Sequence, residues 1–223
     1  MTYMAKPAAS AALPTVRPLL AGRTPLIAIL QVDRVEDALP LLEALEESGV
    51  PAIEVTLRTP QALAVIETMA KHARQAVIGA GTLTLPAHFA QSRDAGARFL
   101  VGPGFSPALA EAAYQTGLPF IPGAVSPSEI LAAREHGFHE LKFFPAELHG
   151  GPAWLKHMEP LFPDVVFCPT GGVTAANSRD FLQLPNVFAA GGVFMAPRQS
   201  VLDRDWAGIR GLATTALKLA AAA

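Results

Sequence analysis

Eight short apolar runs recur along the chain, at residues 25–31, 52–57, 76–80, 98–101, 119–121, 140–144, 165–169 and 187–190, and they are apolar nearly throughout. A strand with one wet face alternates apolar and polar residues. A strand covered on both faces does not, and such strands are the mark of parallel sheets. Between the runs lie segments of helical period at 35–48, 60–73, 86–95, 107–116, 127–136, 153–161 and 175–184. Several carry start signals. Thr59-Pro60, Ser106-Pro107 and Ser126-Pro127 each place a hydroxyl before a proline at the first helical position, and Ser126 has Glu129 at the capping-box spacing. Gly49, Gly96, Gly117 and Gly137 follow four of the segments as stop signals. Eight strand–helix units fit an α/β fold of the (β/α)₈ TIM-barrel type better than an open doubly wound sheet. An open sheet would carry glycines in its first turn, and the turn after Gln31 has none.

At 223 residues the chain holds one such barrel, expected over residues 23–223, preceded by a lead-in segment at 1–22. Residues 213–223 are alanine-rich and read as a final helix fraying into a tail. A formal net charge of −2 without a basic cluster gives no footprint for nucleic acid. No apolar run reaches the ~18 residues of a membrane span, and the start lacks the apolar core of a signal peptide. Cys168 is the single cysteine, in an apolar run, and reads as a buried structural thiol in a reducing compartment. The expected location is the cytoplasm. His72, His88, His136, His139, His149 and His157 show no ligand spacing, so no metal and no other cofactor is expected.

In a parallel barrel the chemistry sits at the carboxyl ends of the strands. There the sequence places Glu54-Val55-Thr56-Leu57-Arg58-Thr59, Gly79-Ala80-Gly81-Thr82, Gly102-Pro103-Gly104, Pro122-Gly123, Lys142, Pro169-Thr170-Gly171-Gly172 and Gly191-Gly192-Val193. Lys142 stands alone among Leu141, Phe143 and Phe144. An ammonium in such surroundings must shed its water, which favours the neutral, nucleophilic amine, and the natural use of that amine is a Schiff base. Glu54 alternates with Ile53 and Val55, so it should face the interior alongside Lys142 as a general base beside a nucleophile. Arg58 and Thr82 are candidates for holding a substrate carboxylate. Two glycine pairs after adjacent strands fall where such barrels bind phosphate through backbone N–H groups.

Together these stretches, with Lys142-Phe143-Phe144-Pro145-Ala146-Glu147 and Phe167-Cys168-Pro169-Thr170-Gly171-Gly172, resemble the pyruvate-lyase family of 2-keto-3-deoxy-6-phosphogluconate (KDPG) aldolase and 4-hydroxy-2-oxoglutarate aldolase. The resemblance runs from about residue 25 to the last helix. It implies a class I aldolase on a (β/α)₈ barrel, assembled as a homotrimer, acting on a small phosphorylated 2-keto-3-deoxy sugar acid and releasing pyruvate. Lys142 would form the Schiff base and Glu54 would be the general acid/base. Arg58 and Thr82 would bind the pyruvate carboxylate, while Phe144 and Pro103 would wall the pyruvyl pocket. Thr170, Gly171, Gly172 and Gly192 would hold the distal phosphate.

One position departs from the pattern. After the second glycine pair the KDPG aldolases usually have Ser or Thr, and here Val193 follows. A valine there is similar to relatives acting on the galactonate epimer, as is the opening at 25–30, although those relatives continue with arginine where this chain has Gln31. The segments 143–147 and 168–170 are of gluconate type, so the gluconate substrate is expected and the galactonate epimer is the alternative. An isomerase or epimerase with a phosphate-binding barrel, and a non-catalytic sugar-phosphate-binding barrel, are the readings from other classes. In the first Lys142 would merely position a phosphosugar, and the second has no use for an unmatched buried amine; the pair of Lys142 and Glu54 inside apolar strands is the feature that discriminates.

Overall fold

Residues 14–221 are described in a computed structural model of the chain. Residues 1–13 of the expected lead-in and the last two of the expected tail lie outside the described residues. The strands are β1 (Leu26–Leu30), β2 (Ala52–Thr56), β3 (Val77–Gly81), β4 (Phe99–Val101), β5 (Phe120–Ile121), β6 (Glu140–Phe143), β7 (Val166–Pro169) and β8 (Ala190–Gly192). Interleaved with them are α1 (Ala38–Glu47), α2 (Ala62–His72), α3 (Pro86–Asp94), α4 (Pro107–Thr116), α5 (Pro127–Glu135), α6 (Gly151–Met158) and α7 (Ser178–Leu182). Two further helices, α8 (Arg198–Leu202) and α9 (Trp206–Ala221), follow β8.

All strand pairs are parallel, and the sheet order runs β5-β4-β3-β2-β1-β8 with β6-β7 alongside. Backbone bonds join the two sets. Lys142 N–H donates to Pro122 O at 2.8 Å and Ala124 N–H to Lys142 O at 2.9 Å, tying β6 to the end of β5. Bridges Phe167↔Val187 and Thr170↔Gly191 tie β7 to β8. The ring therefore closes as a (β/α)₈ barrel, which removes every sheet edge.

Alternate residues of each strand point to opposite sides, and here both sides are apolar for different reasons. Ile53, Val55, Ile78, Leu100, Leu141 and Phe143 face outward into the layer between strands and helices. Phe143 stacks on Trp154 with ring centroids 4.4 Å apart and planes 9° apart, and Trp154 meets Phe167 edge-on. Those contacts fix the rotation of β6 and so turn its other face inward. Ile27, Ala52, Phe99, Val101, Ile121, Cys168 and Ala189 fill the barrel interior. Two interior positions on β3 are glycines because neighbours occupy the space: a side chain at Gly79 would strike the Phe99 ring, and one at Gly81 the Glu54 carboxyl group.

The lower end of the barrel is stopped by the segment before β1. Residues Arg17–Leu20 form a 3₁₀ turn, and Val16 and Leu20 are buried with the interior residues. Glu140, two residues before Lys142 and on the same face of β6, is only 4% exposed; it accepts the Val16 N–H at 2.6 Å and the Arg17 Nε at 3.0 Å. A buried carboxylate needs such partners, and the chain supplies them from its own lead-in.

The capping signals at Ser106 and Ser126 act as expected, accepting the Leu109 and Glu129 N–H groups, and the four stop glycines all have positive φ. Thr59-Pro60 does not start a helix. Thr59 Oγ1 donates to Val32 O at 2.7 Å, bracing the ends of β1 and β2, and α2 begins at Ala62. The eighth strand also sits later than the apolar run implies. Gly191 and Gly192 lie inside β8, and their lack of side chains makes room for Thr170, Ile29 and the Phe194 ring. The alanine-rich end is the last half of α9, which starts at Trp206. No helix of the described residues is long and apolar enough to cross a membrane.

Candidate active site

Lys142 enters the upper barrel from β6 and Glu54 from β2, nearly opposite across the interior. Both are buried, with 6% and 1% exposure, and Lys142 Nζ donates to Glu54 Oε1 at 3.3 Å. In register Glu54 pairs with Ile29 and Gly79 on its neighbours, and Lys142 with Cys168. The Lys142 amine also lies 5.3 Å from the centre of the Phe144 ring. Removing two charges from water costs several kcal/mol each, which makes such a pair a poor device for stability alone.

Above the pair opens a cleft lined by Ile29, Thr56, Arg58, Phe144, the turn Thr170–Val173, Gly192 and Val193. The Thr170 hydroxyl is buried on this cleft with no hydrogen-bond partner among the described residues. A buried hydroxyl without a partner costs about 1–3 kcal/mol, a loss that a ligand oxygen would recover. A smaller side cleft shares Ile29, Thr56, Arg58 and Val193 and runs on to Gln31 and Arg198. Arg198 grips Asp33 with two bonds of 3.0 and 3.1 Å, and that hydrogen-bonded carboxylate raises its already high pKa.

Arg58 is exposed at the rim, and its Nε donates to Thr82 Oγ1 at 3.3 Å. Thr82 holds φ at +64°, a left-handed conformation that a β-branched residue rarely adopts. Such strain gathers at sites where surrounding structure holds a side chain in place for use. Cys168 lies beside Lys142, but burial pushes its thiol up to about 12, with Glu54 and Glu140 adding to the rise and Lys142 opposing it. A thiol held protonated at neutral pH is no nucleophile, which leaves the lysine.

The expected residues therefore fall into two groups. Lys142, Glu54, Arg58, Phe144, Thr170, Gly171, Gly172, Gly192 and Val193 line one cleft. Thr82 reaches it only through Arg58, and Pro103 stands exposed outside the lining, its carbonyl packed against Gly123. Thr56, Ile29 and Val173 line the cleft without having been singled out in the sequence. Thr56 was legible, since it is two residues beyond Glu54 and shares its face; Ile29 looks like any other core residue.

Residues 20–212 match the family model described as KDPG and KHG aldolase. A 2-dehydro-3-deoxy-phosphogluconate aldolase from Pseudomonas aeruginosa is 43% identical over 194 residues, covering 86% of this chain and 88% of the relative. A KHG/KDPG aldolase from Escherichia coli is 39% identical, over 87% of this chain and 91% of the relative. Among solved structures, a KDPG aldolase from Legionella pneumophila, with pyruvate captured as a covalent carbinolamine intermediate, superposes with a TM-score of 0.87 at 37% identity. That match covers 92% of this chain and 98% of the other.

Proposed function

Since the chain belongs to the KDPG and KHG aldolase family, we propose that it is a class I aldolase cleaving 2-keto-3-deoxy-6-phosphogluconate to pyruvate and D-glyceraldehyde 3-phosphate, with 4-hydroxy-2-oxoglutarate as a further substrate. The observation that carries the reading is the buried amine–carboxylate pair, 3.3 Å apart at the base of the cleft.

The Lys142 amine attacks the C2 ketone, and loss of water gives a protonated imine. That imine draws electrons from the adjacent carbon. Glu54 takes the C4 hydroxyl proton, the C3–C4 bond breaks, and the aldehyde leaves. The enamine that remains is protonated at C3 and hydrolysed, freeing pyruvate and the lysine. Arg58, with Thr82 behind it, meets the substrate carboxylate, and Phe144 walls the pyruvyl group. Thr170 and the N–H groups of Gly171 and Gly172 take the phosphate end, with Gly192 and Val193 facing them. Incubation with KDPG must release pyruvate and glyceraldehyde 3-phosphate in equal amounts, and release of neither overturns the reading. A homotrimer in the cytoplasm is part of the same proposal, and sedimentation tests the subunit number.

Gly81 is the support on which Glu54 depends. Gly81→Ala forces the carboxyl group aside, so kcat should fall at least tenfold, while overpacking lowers stability by about 1–3 kcal/mol. Steady-state kinetics beside urea unfolding separates the two effects; unaltered kcat would show that Glu54 does not need its present position.

Val193 favours a second reading, the galactonate epimer, or relaxed choice between the two. Its side chain is 58% exposed at the mouth of the cleft and cannot donate a hydrogen bond to substrate. One neutral hydrogen bond is worth about 0.5–1.5 kcal/mol, a several-fold effect. The protein should therefore cleave both C4 epimers, and Val193→Ser should shift kcat/KM several-fold towards the gluconate substrate. A native preference of orders of magnitude, or a ratio unmoved by serine, removes Val193 as the selector.

A further inference from the structure

The turn after β7 is held open by an arrangement outside the cleft. Gly171 and Gly172 have φ of +84° and +83°, and three successive carbonyls are turned away from the cleft and engaged. Thr170 O accepts the Ala146 N–H at 2.8 Å, Gly171 O the Glu147 N–H at 3.1 Å, and Gly172 O the Asn177 Nδ2 at 3.1 Å. Among the described residues the N–H groups of Gly171, Gly172 and Val173 donate no hydrogen bond. Peptides whose carbonyls are pinned on one side leave their N–H dipoles facing the other, which is how a short turn becomes an anion nest. The buried, unpartnered Thr170 hydroxyl opens on the same space.

Asn177 is the centre of the arrangement. Its Nδ2 donates both to Gly172 O and, at 3.2 Å, to Glu147 Oε1. Its Oδ1 accepts the Thr174 N–H at 2.7 Å, and its own N–H donates to Thr174 Oγ1 at 3.2 Å. The Glu147 side chain lies flat against Gly172, where a β-carbon would strike it. One amide thus links the strand β6 exit to the turn after β7, using all its polar atoms.

Resting on the phosphate-end assignment above, we infer that Asn177, bridged to Glu147, is the positioning residue that keeps the 171–173 turn in its anion-binding form. It touches no substrate. It sets how strongly a phosphate is preferred over a neutral distal end, while the Lys142 and Glu54 chemistry proceeds on other elements. Glu147 would otherwise be unfavourable near a phosphate, and the amide bond is what holds its carboxylate aside from the nest.

Asn177→Asp keeps the acceptor for Thr174 but loses both donated bonds and sets one carboxylate against another. It should lower kcat/KM for KDPG at least tenfold, chiefly through KM, and lower the preference for KDPG over its unphosphorylated analogue by a similar factor. Glu147→Gln added to that variant restores an amide–carboxylate pair with the roles exchanged, and should recover part of the lost preference. Trapping of Lys142 with pyruvate and borohydride in the same samples reports on the nucleophile independently. Equal loss on both substrates, or no gain in the double variant, overturns the positioning role while leaving the aldolase reading intact. Failure of trapping in the native protein overturns the aldolase reading instead.

Discussion

Borohydride added to the protein with pyruvate places a lactyl-sized mass on Lys142 and on no other lysine. The expectation follows from its surroundings. Among the described residues Lys142 is the lysine inside the barrel, 3.3 Å from the Glu54 carboxyl group, whereas Lys71 is an exposed side chain paired to Glu67 along α2. An amine must be neutral to attack a ketone, and the Glu54 carboxyl group is placed to relay the protons that the attack and the loss of water require. Lys142→Met, similar in length and apolar, should abolish the trapped adduct and lower cleavage by as much as about 10⁵–10⁶-fold, the scale seen when a covalent nucleophile is removed. Mass spectrometry after proteolysis decides it. Label on Lys156, or none, would sink the imine mechanism. The isomerase and sensor readings also meet their test here, because neither requires a covalent bond to substrate.

Glu54→Gln is expected to cost about 10²–10⁴ in the proton transfers, the usual scale for loss of a general base. The substitution keeps size and hydrogen bonding, and the Lys142 amine still finds an oxygen to bond. What disappears is the ability to take the C4 hydroxyl proton and to exchange protons at C3. Exchange of the pyruvate methyl protons with deuterated water, followed by proton NMR, isolates that step from cleavage. Imine formation should survive in part, so the trapped adduct remains detectable while exchange collapses. Exchange at the native rate would mean that another group is the base and that Glu54 only neutralises the lysine.

The barrel and the buried lysine within it were legible because both depend on short-range pattern. Runs apolar on both faces announce parallel strands, and a lone lysine in such a run is conspicuous. Parity did the rest, placing Glu54 on the interior face. What parity did not convey was spacing along the barrel axis. The eighth run, 187–190, begins three residues early because Val187 and Phe188 make only isolated contacts to β7 before Gly191 lets Thr170 and Ile29 press against the strand. Thr59 reads locally as a cap, but a carbonyl on the neighbouring strand, Val32 O, competes for its hydroxyl and wins. Pro103 was assigned to the pocket wall through the family resemblance, and here it is exposed on its loop outside the cleft lining. Asn177 left only the Thr174-Ala175-Ala176-Asn177 spacing of a helix cap, with nothing to show that its amide also reaches Glu147 across the barrel rim.

The stopper formed by Val16, Leu20 and the Arg17–Glu140 contact makes the barrel a blind well. Traffic then has a direction. In the proposed reaction the carbons that become pyruvate are bonded to Lys142 at the floor of the cleft, with the aldehyde fragment between them and the mouth. The aldehyde must leave first, and pyruvate leaves last. The same order runs backwards in synthesis, where pyruvate has to load before any aldehyde can react. A newly arriving sugar acid competes with pyruvate for one vacancy, and it meets the departing aldehyde only as an obstacle in the corridor.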